Sequence, residues 1–470
     1  MELHIRFEGR RELARQIYHQ LRDAIRGGRL RRGDRLPPTR ELALRLDVSR
    51  NTASLAYEWL IAEGLLLGRR GGGTFVESAP AARSSRSRAG IPIRHRPIWD
   101  DIAAPSPKEA PRYDFGVGMP DAQLFPYDTW RRLLARQIRG ASLSAVYGEA
   151  GGHPGLRAAI ARSIAVSRGV VAGADDVIVT NGAQQAFDLI ARVLIEPGAR
   201  VAVEEPGYPP PRLLFASLGA RVAAVPVDEA GLVVDLLPDD ARLVYVTPSH
   251  QFPLGMPMSH PRRAALLAWA ERRNAVIIED DYDSEFRFGG RPLETLQAID
   301  RSGRVIYVGS FSKSLLPALR LGFLIAPPSL REALRSASFV ANWYVQWPAQ
   351  AALATLITDG LLARHTRKMR RVYVERHDRI LRALTRDFAK WLVPVESVTG
   401  MHIAATLRKG NVRVERELAR RALDAGVGFD RLSAYCTADP RAGVVLGYGA
   451  IPSAKIDEGL RRLRQCFPLT

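Results

Sequence analysis

The sequence predicts an α/β protein in two parts. A small N-terminal winged helix-turn-helix comes first, and a larger domain follows in which helices cover a mainly parallel sheet and a smaller α+β unit closes the chain. Three observations carry this reading. Short amphipathic helices fill residues 13–64 and run into a glycine-rich hairpin; a Pro-, Ser- and Arg-rich stretch without period occupies 78–112; and from 113 onward apolar strands alternate with helices. Such alternation implies parallel strands, because each parallel neighbour needs a crossover whose helix packs back on the sheet. At 470 residues the chain exceeds one ordinary core, which suits a division into 1–77, a linker at 78–112, and 113–470.

The first helix is marked by Leu13, Ile17, Leu21 and Ile25, a stripe of period four. Thr39 is expected to cap a short helix carrying Leu42, Ala43 and Leu46. Ser49 is expected to cap a second one carrying Ala53, Ala56, Tyr57 and Leu60, which stops at Gly64. The tight Asp47-Val48 link between them is a helix-turn-helix signal. LLLGRRGGGTFV then reads as two strands around an arginine-flanked glycine tip, with Arg69 and Arg70 at the turn.

Charge points the same way. The formal net charge is +19, a surplus that favours polyanionic partners. Residues 1–77 hold 15 Arg and no Lys against 10 acidic residues, so the surplus is denser at this end. In a helix-turn-helix the second helix leads into the major groove with its N-terminal residues, here Ser49, Arg50, Asn51 and Thr52. Arginine pairs bidentately with guanine and asparagine with adenine, while hydroxyls suit phosphates or bases. The stretch LPPTRELALRLDVSRNTASLAYEWLIAEGLLLGRRGGGTFV resembles the winged-helix module of GntR-type bacterial regulators. That resemblance implies contacts to double-stranded DNA by Arg40 and by Ser49 to Thr52, with Gly72, Gly73 and Thr74 in the wing.

Only Cys436 and Cys466 occur, too few for a disulfide framework or a zinc site, and no metal is expected. No apolar run is long enough to cross a bilayer, and the charged N-terminus lacks a signal-peptide centre, so a cytoplasmic protein is expected.

In the larger domain, DDVIVT, RVAVEEP, ARLVYVTPS, AVIIEDD and RVIYVGS are the buried-strand candidates, and ligands of such sheets bind beyond the carboxyl ends. RVIYVGSFSK delivers Ser310, Ser312 and Lys313 to that position. Lys313 is one of six lysines in an arginine-rich chain. A shielded lysine can attack an aldehyde, and serine hydroxyls with Arg320 suit a phosphate. A phosphorylated aldehyde uses both. Pyridoxal 5′-phosphate also needs a carboxylate for its ring nitrogen and a donor for its phenolate. Asp280 and Tyr282 project to one side of an extended strand, with Asp281 competing for the first role. TNGAQQAFDL opens a helix whose Gly182, Ala183 and Gln184 amides suit a phosphate, and Tyr208 suits a ring-stacking role.

Helix N-terminus, aromatic loop, Asp strand, then Lys strand with a trailing Arg is the order found in fold type I pyridoxal-phosphate enzymes. Residues 113–470 resemble the class I aminotransferase domain. The resemblance implies a Schiff base on Lys313 and, through YGEAGGHPGLRAAIA, a Tyr147 that reaches the phosphate of a neighbouring subunit. Two departures stand out. Phe252 occupies the place of an asparagine that touches the phenolate, and Val445 that of the arginine that clamps a substrate carboxylate. Together the parts resemble the MocR/GabR-type regulators within the GntR family. This implies a transcriptional regulator, a domain-swapped head-to-tail homodimer that senses a vitamin B6 form or an amino compound rather than turning substrate over. The alternative is an active aminotransferase with a DNA-binding appendage. The basic stretch RHTRKMRRVYVERHDR (364–379) reads as a solvated helix face.

Overall fold

The computed structural model describes residues 5–7, 9, 11–69, 72–77, 93–102, 110–139, 147–289 and 294–467. They form two compact units, Met1–His95 and Arg96–Thr470. The division falls inside the stretch 78–112 expected as linker, of which 78–92 and 103–109 lie outside the described residues. Residues Pro97–Trp99 form a 3-10 turn of the second unit.

The first unit runs α1 (Leu13–Arg26), β1 (Arg35–Leu36), α2 (Thr39–Arg45), α3 (Arg50–Ala62), β2 (Leu66–Arg69) and β3 (Gly73–Val76). Helix α1 buries Ile17, Leu21 and Ala24, with Ile25 only part-buried. Thr39 is not a cap. It is the first helical residue, Pro38 holds the capping position, and the Pro38 carbonyl starts the helix by accepting from Glu41 and Leu42 at 2.8 and 2.9 Å. Ser49 does cap α3, its hydroxyl accepting from the Thr52 amide at 3.0 Å. Between α2 and α3 Asp47 takes φ +51°, the left-handed turn that aspartate tolerates. The wing has a third strand that the sequence does not announce. β1 pairs antiparallel with β3 (Leu36↔Thr74), and two residues are too few to show a period. Arg70, read at the wing tip, lies outside the described residues.

The second unit contains β4 (Tyr113–Phe115), α4 (Tyr127–Gln137), α5 (Pro154–Arg168), β5 (Val177–Thr180), α6 (Ala183–Leu194), β6 (Arg200–Glu205), α7 (Pro209–Ser217), β7 (Arg221–Asp228), β8 (Gly231–Leu232) and β9 (Ala241–Val246). It continues with α8 (His260–Arg273), β10 (Val276–Asp281), α9 (Leu296–Ile299), β11 (Val305–Ser310), β12 (Gly322–Ile325), α10 (Arg331–Asn342), α11 (Trp347–Thr358) and α12 (Leu361–Arg386). The last elements are β13 (Leu392–Pro394), β14 (His402–Leu407), α13 (Val412–Asp424), β15 (Val427–Arg431), β16 (Gly443–Gly447) and α14 (Ser453–Gln465).

The large sheet has the order β5-β12-β11-β10-β9-β6-β7-β8 and is mainly parallel; β12 and β8 run against their neighbours. Both faces are covered, which explains strands such as VIVT with no polar alternation. Val177, Val179 and Phe323 pack under α4, α5 and α11, while Ile178, Leu243, Ile306 and Val308 pack against Phe187 of α6 and Phe215 of α7. A second sheet, β13-β14-β16-β15-β4, is antiparallel except where β15 meets β4. The smaller α+β unit expected to close the chain thus recruits a strand from the start of the second unit. Phe115 of that strand is fully buried in the same core as Tyr373, Leu446 and Leu463.

Candidate functional site

A cavity of about 360 Å³ opens at the carboxyl ends of the parallel strands. Lys313, Asp280, Tyr282, Ala183, Gln184, Tyr208, Ser310, Ser312 and Arg320, all expected from the sequence, line it together. Chain crossing brings them there: β10 ends in Asp280 and Asp281, β11 ends in Ser310, and α6 starts beside the antiparallel β12.

Lys313 Nζ donates to the Gly118 carbonyl at 2.6 Å. A side chain at Gly118 would crowd that amine, since a Cβ would stand 3.1 Å from it, and the φ of +84° favours glycine in any case. Burial lowers the Lys313 pKa, opposed by the charges of Asp283 and Asp280. The lowered value raises the fraction of neutral, nucleophilic amine.

The two adjacent carboxylates are treated differently because strand alternation sends them to opposite faces. Asp280 lines the cavity. One of its oxygens accepts from the Tyr245 hydroxyl at 2.6 Å; the other, Oδ1, is buried without a partner. Burial raises the Asp280 pKa to about 7 against the opposing pull of the Tyr245 bond. A buried oxygen with nothing to accept from is costly, and a protonated ring nitrogen would supply the missing donor. Asp281, the competitor, is saturated elsewhere by Arg168 (2.8 Å), the Tyr307 hydroxyl (2.5 Å) and Ser284.

Tyr282 faces the cavity, but its hydroxyl is shared with His250. It donates to the His250 carbonyl at 3.0 Å and lies 2.9 Å from Nδ1 of the same ring. His250 Nδ1 also meets Asp283 at 2.9 Å, and the His402 ring lies tilted with its centroid 4.7 Å from that of His250. Burial, reinforced by His250, drops the His402 pKa to about 3. Among the described residues His250, Asp283 and His402 are the one group close enough to hold a metal. His250 Nδ1 pairs with Asp283 and His402 Nε2 lies 2.9 Å from the Pro253 carbonyl, while His250 Nε2 is buried without a hydrogen-bond partner. Tyr245 and this cluster were not anticipated. ARLVYVT shows a tyrosine in a buried strand, but only the pairing of β9 with β10 puts it beside Asp280.

At the opposite end, Ser310 and Ser312 hydroxyls stand 3.0 Å apart and the Arg320 guanidinium caps the Asn181 carbonyl at 2.7 Å. Gly182 differs from its expected role. Its N–H is taken by the Thr180 carbonyl at 2.9 Å, so it supplies space and conformation instead of a donor. With φ +75° it lets Arg320 close in, and a Cβ there would meet the guanidinium at 2.8 Å. The amides of Ala183 and Gln184 remain at the positive helix end, where orphan N–H groups attract anions. Tyr147 does not line this cavity. It is 71% exposed and stacks on Tyr344 at 5.3 Å.

The wall toward the second sheet is mostly apolar, with His402 as its polar member. Phe252 is buried, edge-on to Tyr208, Tyr282 and Tyr435. Val445 is fully buried in a core cluster with Ala404 and Leu432.

In the first unit Arg40, Arg50 and Asn51 are exposed, and among the described residues their side chains form no hydrogen bond or ion pair. Ser49 and Thr52 differ, since their hydroxyls bond each other at 2.8 Å within the cap. Gly72, Gly73 and Thr74 lie in the wing; Gly73, at φ +104°, packs against the Arg35 side chain. Arg69 lies over the Phe75 ring at 5.3 Å.

The profile of the bacterial regulatory proteins of the gntR family matches residues 13–76, and that of aminotransferase class I and II matches 114–438. The probable rhizopine catabolism regulatory protein MocR of Rhizobium meliloti is 41% identical, the match covering 96% of this chain and 93% of that one. The pyridoxine biosynthesis transcriptional regulator PdxR of Corynebacterium glutamicum is 33% identical, over 93% of this chain and 91% of the relative. Among solved structures, the Pyrococcus horikoshii kynurenine aminotransferase superposes with a TM-score of 0.70 at 28% identity, covering 76% of this chain and 91% of its own. Among the described residues no helix is long and apolar enough to cross a membrane.

Proposed function

Because the chain belongs to the MocR-type regulators of the gntR family, which join a winged helix to a class I and II aminotransferase domain, we propose how its two sites divide the work of transcriptional regulation. The first unit reads an operator, and the cavity of the second holds pyridoxal 5′-phosphate on Lys313 and reports a vitamin B6 form or an amino compound. The observation that carries the cofactor reading is the unpartnered Oδ1 of Asp280, aimed into a cavity whose far end gathers Arg320, two serines and a helix N-terminus.

When bound, the cofactor supplies an electrophilic carbonyl carbon that captures amines. Every other task falls to the chain. Lys313 offers a partly desolvated amine, and Asp280, held by Tyr245, accepts the proton-bearing ring nitrogen. Arg320, Ser310, Ser312 and the Ala183 and Gln184 amides hold the phosphate, with Tyr208 and Phe252 walling the ring. Tyr282 is the candidate phenolate donor once its single O–H turns from the His250 carbonyl toward the cofactor. Val445 lacks any donor for a carboxylate, so an α-amino acid would bind without the bidentate grip that orients it for turnover. This favours sensing over the alternative of an active aminotransferase.

A head-to-tail homodimer with swapped domains would let Tyr147 of one copy reach the phosphate held by the other. Effector binding would then alter the spacing of the two winged helices relative to paired half-sites, and linkage requires that DNA and effector affect each other's affinity reciprocally. Arg50 and Asn51 supply base contacts, with Arg40 and the wing on the backbone. The test is footprinting of the full chain on DNA upstream of its own gene, with and without pyridoxal phosphate. Protection of a salt-sensitive paired site that shifts with the cofactor supports the reading. Sequence-independent binding, unmoved by the cofactor, contradicts it.

A further inference from the structure

A second cavity, of about 390 Å³, lies behind the cofactor cavity on the other face of the same strands. Its floor is Asp281, Tyr307, Gly309 and Ser314; its walls come from α5 and from the start of α12. Ser310 borders both cavities. The two are therefore back to back, with Asp280 and Lys313 on one side and their neighbours Asp281 and Ser314 on the other.

Four arginines line this cavity: Arg168, Arg287, Arg367 and Arg370. Arg168 is neutralised by Asp281 at 2.8 Å. The other three guanidinium groups form no ion pair or hydrogen bond among the described residues. Arg287 Nε is buried without a partner, and burial followed by repulsion from Arg168 lowers the Arg287 pKa. Two acids share the cavity. Asp281 is fully engaged by Arg168, and Glu285 is exposed, so one free carboxylate faces three arginines. On the floor, Ser314 is only 2% exposed and its hydroxyl has no hydrogen-bond partner. Cations gathered around a recess, with a buried hydroxyl left unpaired at its base, are the donor set of an oxyanion site; guanidinium forks match phosphate and carboxylate alike. The volume is that of a metabolite site rather than of a single ion.

We propose that this cavity binds a small polyanionic metabolite, carrying a phosphate or two carboxylates, distinct from whatever occupies the Lys313 cavity. The anion spans Arg287 and the Arg367/Arg370 pair and accepts from Ser314 at the floor. The inference rests on these donors alone and stands whether or not the chain reads DNA. It also gives the basic stretch of α12 a use beyond a solvated face, for two of its arginines only.

The test titrates the full chain, saturated with pyridoxal phosphate so that the Lys313 cavity is filled, with inorganic phosphate, pyrophosphate, succinate and glutarate by calorimetry. Saturable binding of at least one probe is expected, and the phosphate and dicarboxylate arms identify which oxyanion fits. Arg367→Gln with Arg370→Gln should weaken that binding by about tenfold or more, the scale of lost charge-assisted bonds. Ser314→Ala should weaken it by about threefold to tenfold. Arg364→Gln with Arg371→Gln, exposed on the same helix but outside the cavity, should leave it unchanged. Equal weakening by both arginine pairs would reduce the effect to general surface charge and overturn the site, as would failure of all four probes to bind.

Discussion

The two halves of the cofactor cavity contrast sharply. The half built from β10, β11 and the start of α6 keeps each group that a phosphorylated aldehyde requires: Lys313, the half-satisfied Asp280, Arg320, and two serines. The half facing the second sheet is apolar or self-bonded, with Phe252 against three tyrosines; Val445 lies outside the cavity lining, sealed in a core. If the chain senses instead of turning substrate over, as proposed, the cofactor grip is kept while the apolar half carries the change.

The largest expected effect is on the first half. Lys313→Ala should abolish the visible absorbance of the cofactor-loaded chain, and an unchanged spectrum would remove the contrast. Val445→Arg tests the second half. If that wall is a packed core, an arginine there should destabilise the chain by about 3 kcal/mol or more, read as a fall in the denaturation midpoint. A stable variant that transaminates amino acids would show instead that a latent substrate site was waiting there.

Asp280→Asn keeps a partner for Tyr245 while removing the charge. Cofactor binding should weaken by about 10- to 100-fold, the range for a charge-assisted bond. The cofactor-free protein supplies the matching pH test. The folded Asp280 pKa lies at about 7, above its ordinary 3.8, so its stabilising contribution is complete below that ordinary value and is lost as pH rises through about 7. The melting temperature of wild type relative to Asp280→Asn should fall across that window, and a flat difference would contradict the burial argument. The smallest expected effect lies in the first unit. Arg50→Ala should cost about 1–3 kcal/mol of specific DNA binding, with little change in nonspecific binding.

Much of this was legible in the sequence, for reasons that differ by residue. Lys313, Asp280 and Arg320 sit at strand ends, and strand ends are visible as places where an apolar run stops. Ser49 was legible as a cap because capping is local. Long-range partners were not. Tyr245 reaches Asp280 only through the register of β9 on β10, Arg168 reaches Asp281 across 113 residues, and β4 joins the second sheet from the far end of the unit. Gly182 was misread for a subtler reason. Its place at a helix start was evident, but the Thr180 carbonyl that consumes its N–H was not. Pro38 likewise displaced Thr39, since two consecutive prolines hold the chain extended up to the helix and leave the carbonyl of the second to begin it.

The most direct measurement is to reduce the cofactor-loaded full chain with borohydride, digest it, and locate the pyridoxyl mass by peptide sequencing. The account predicts a single modified residue, Lys313. A label spread over Lys368, Lys390, Lys409 or Lys455, or none at all, would contradict it.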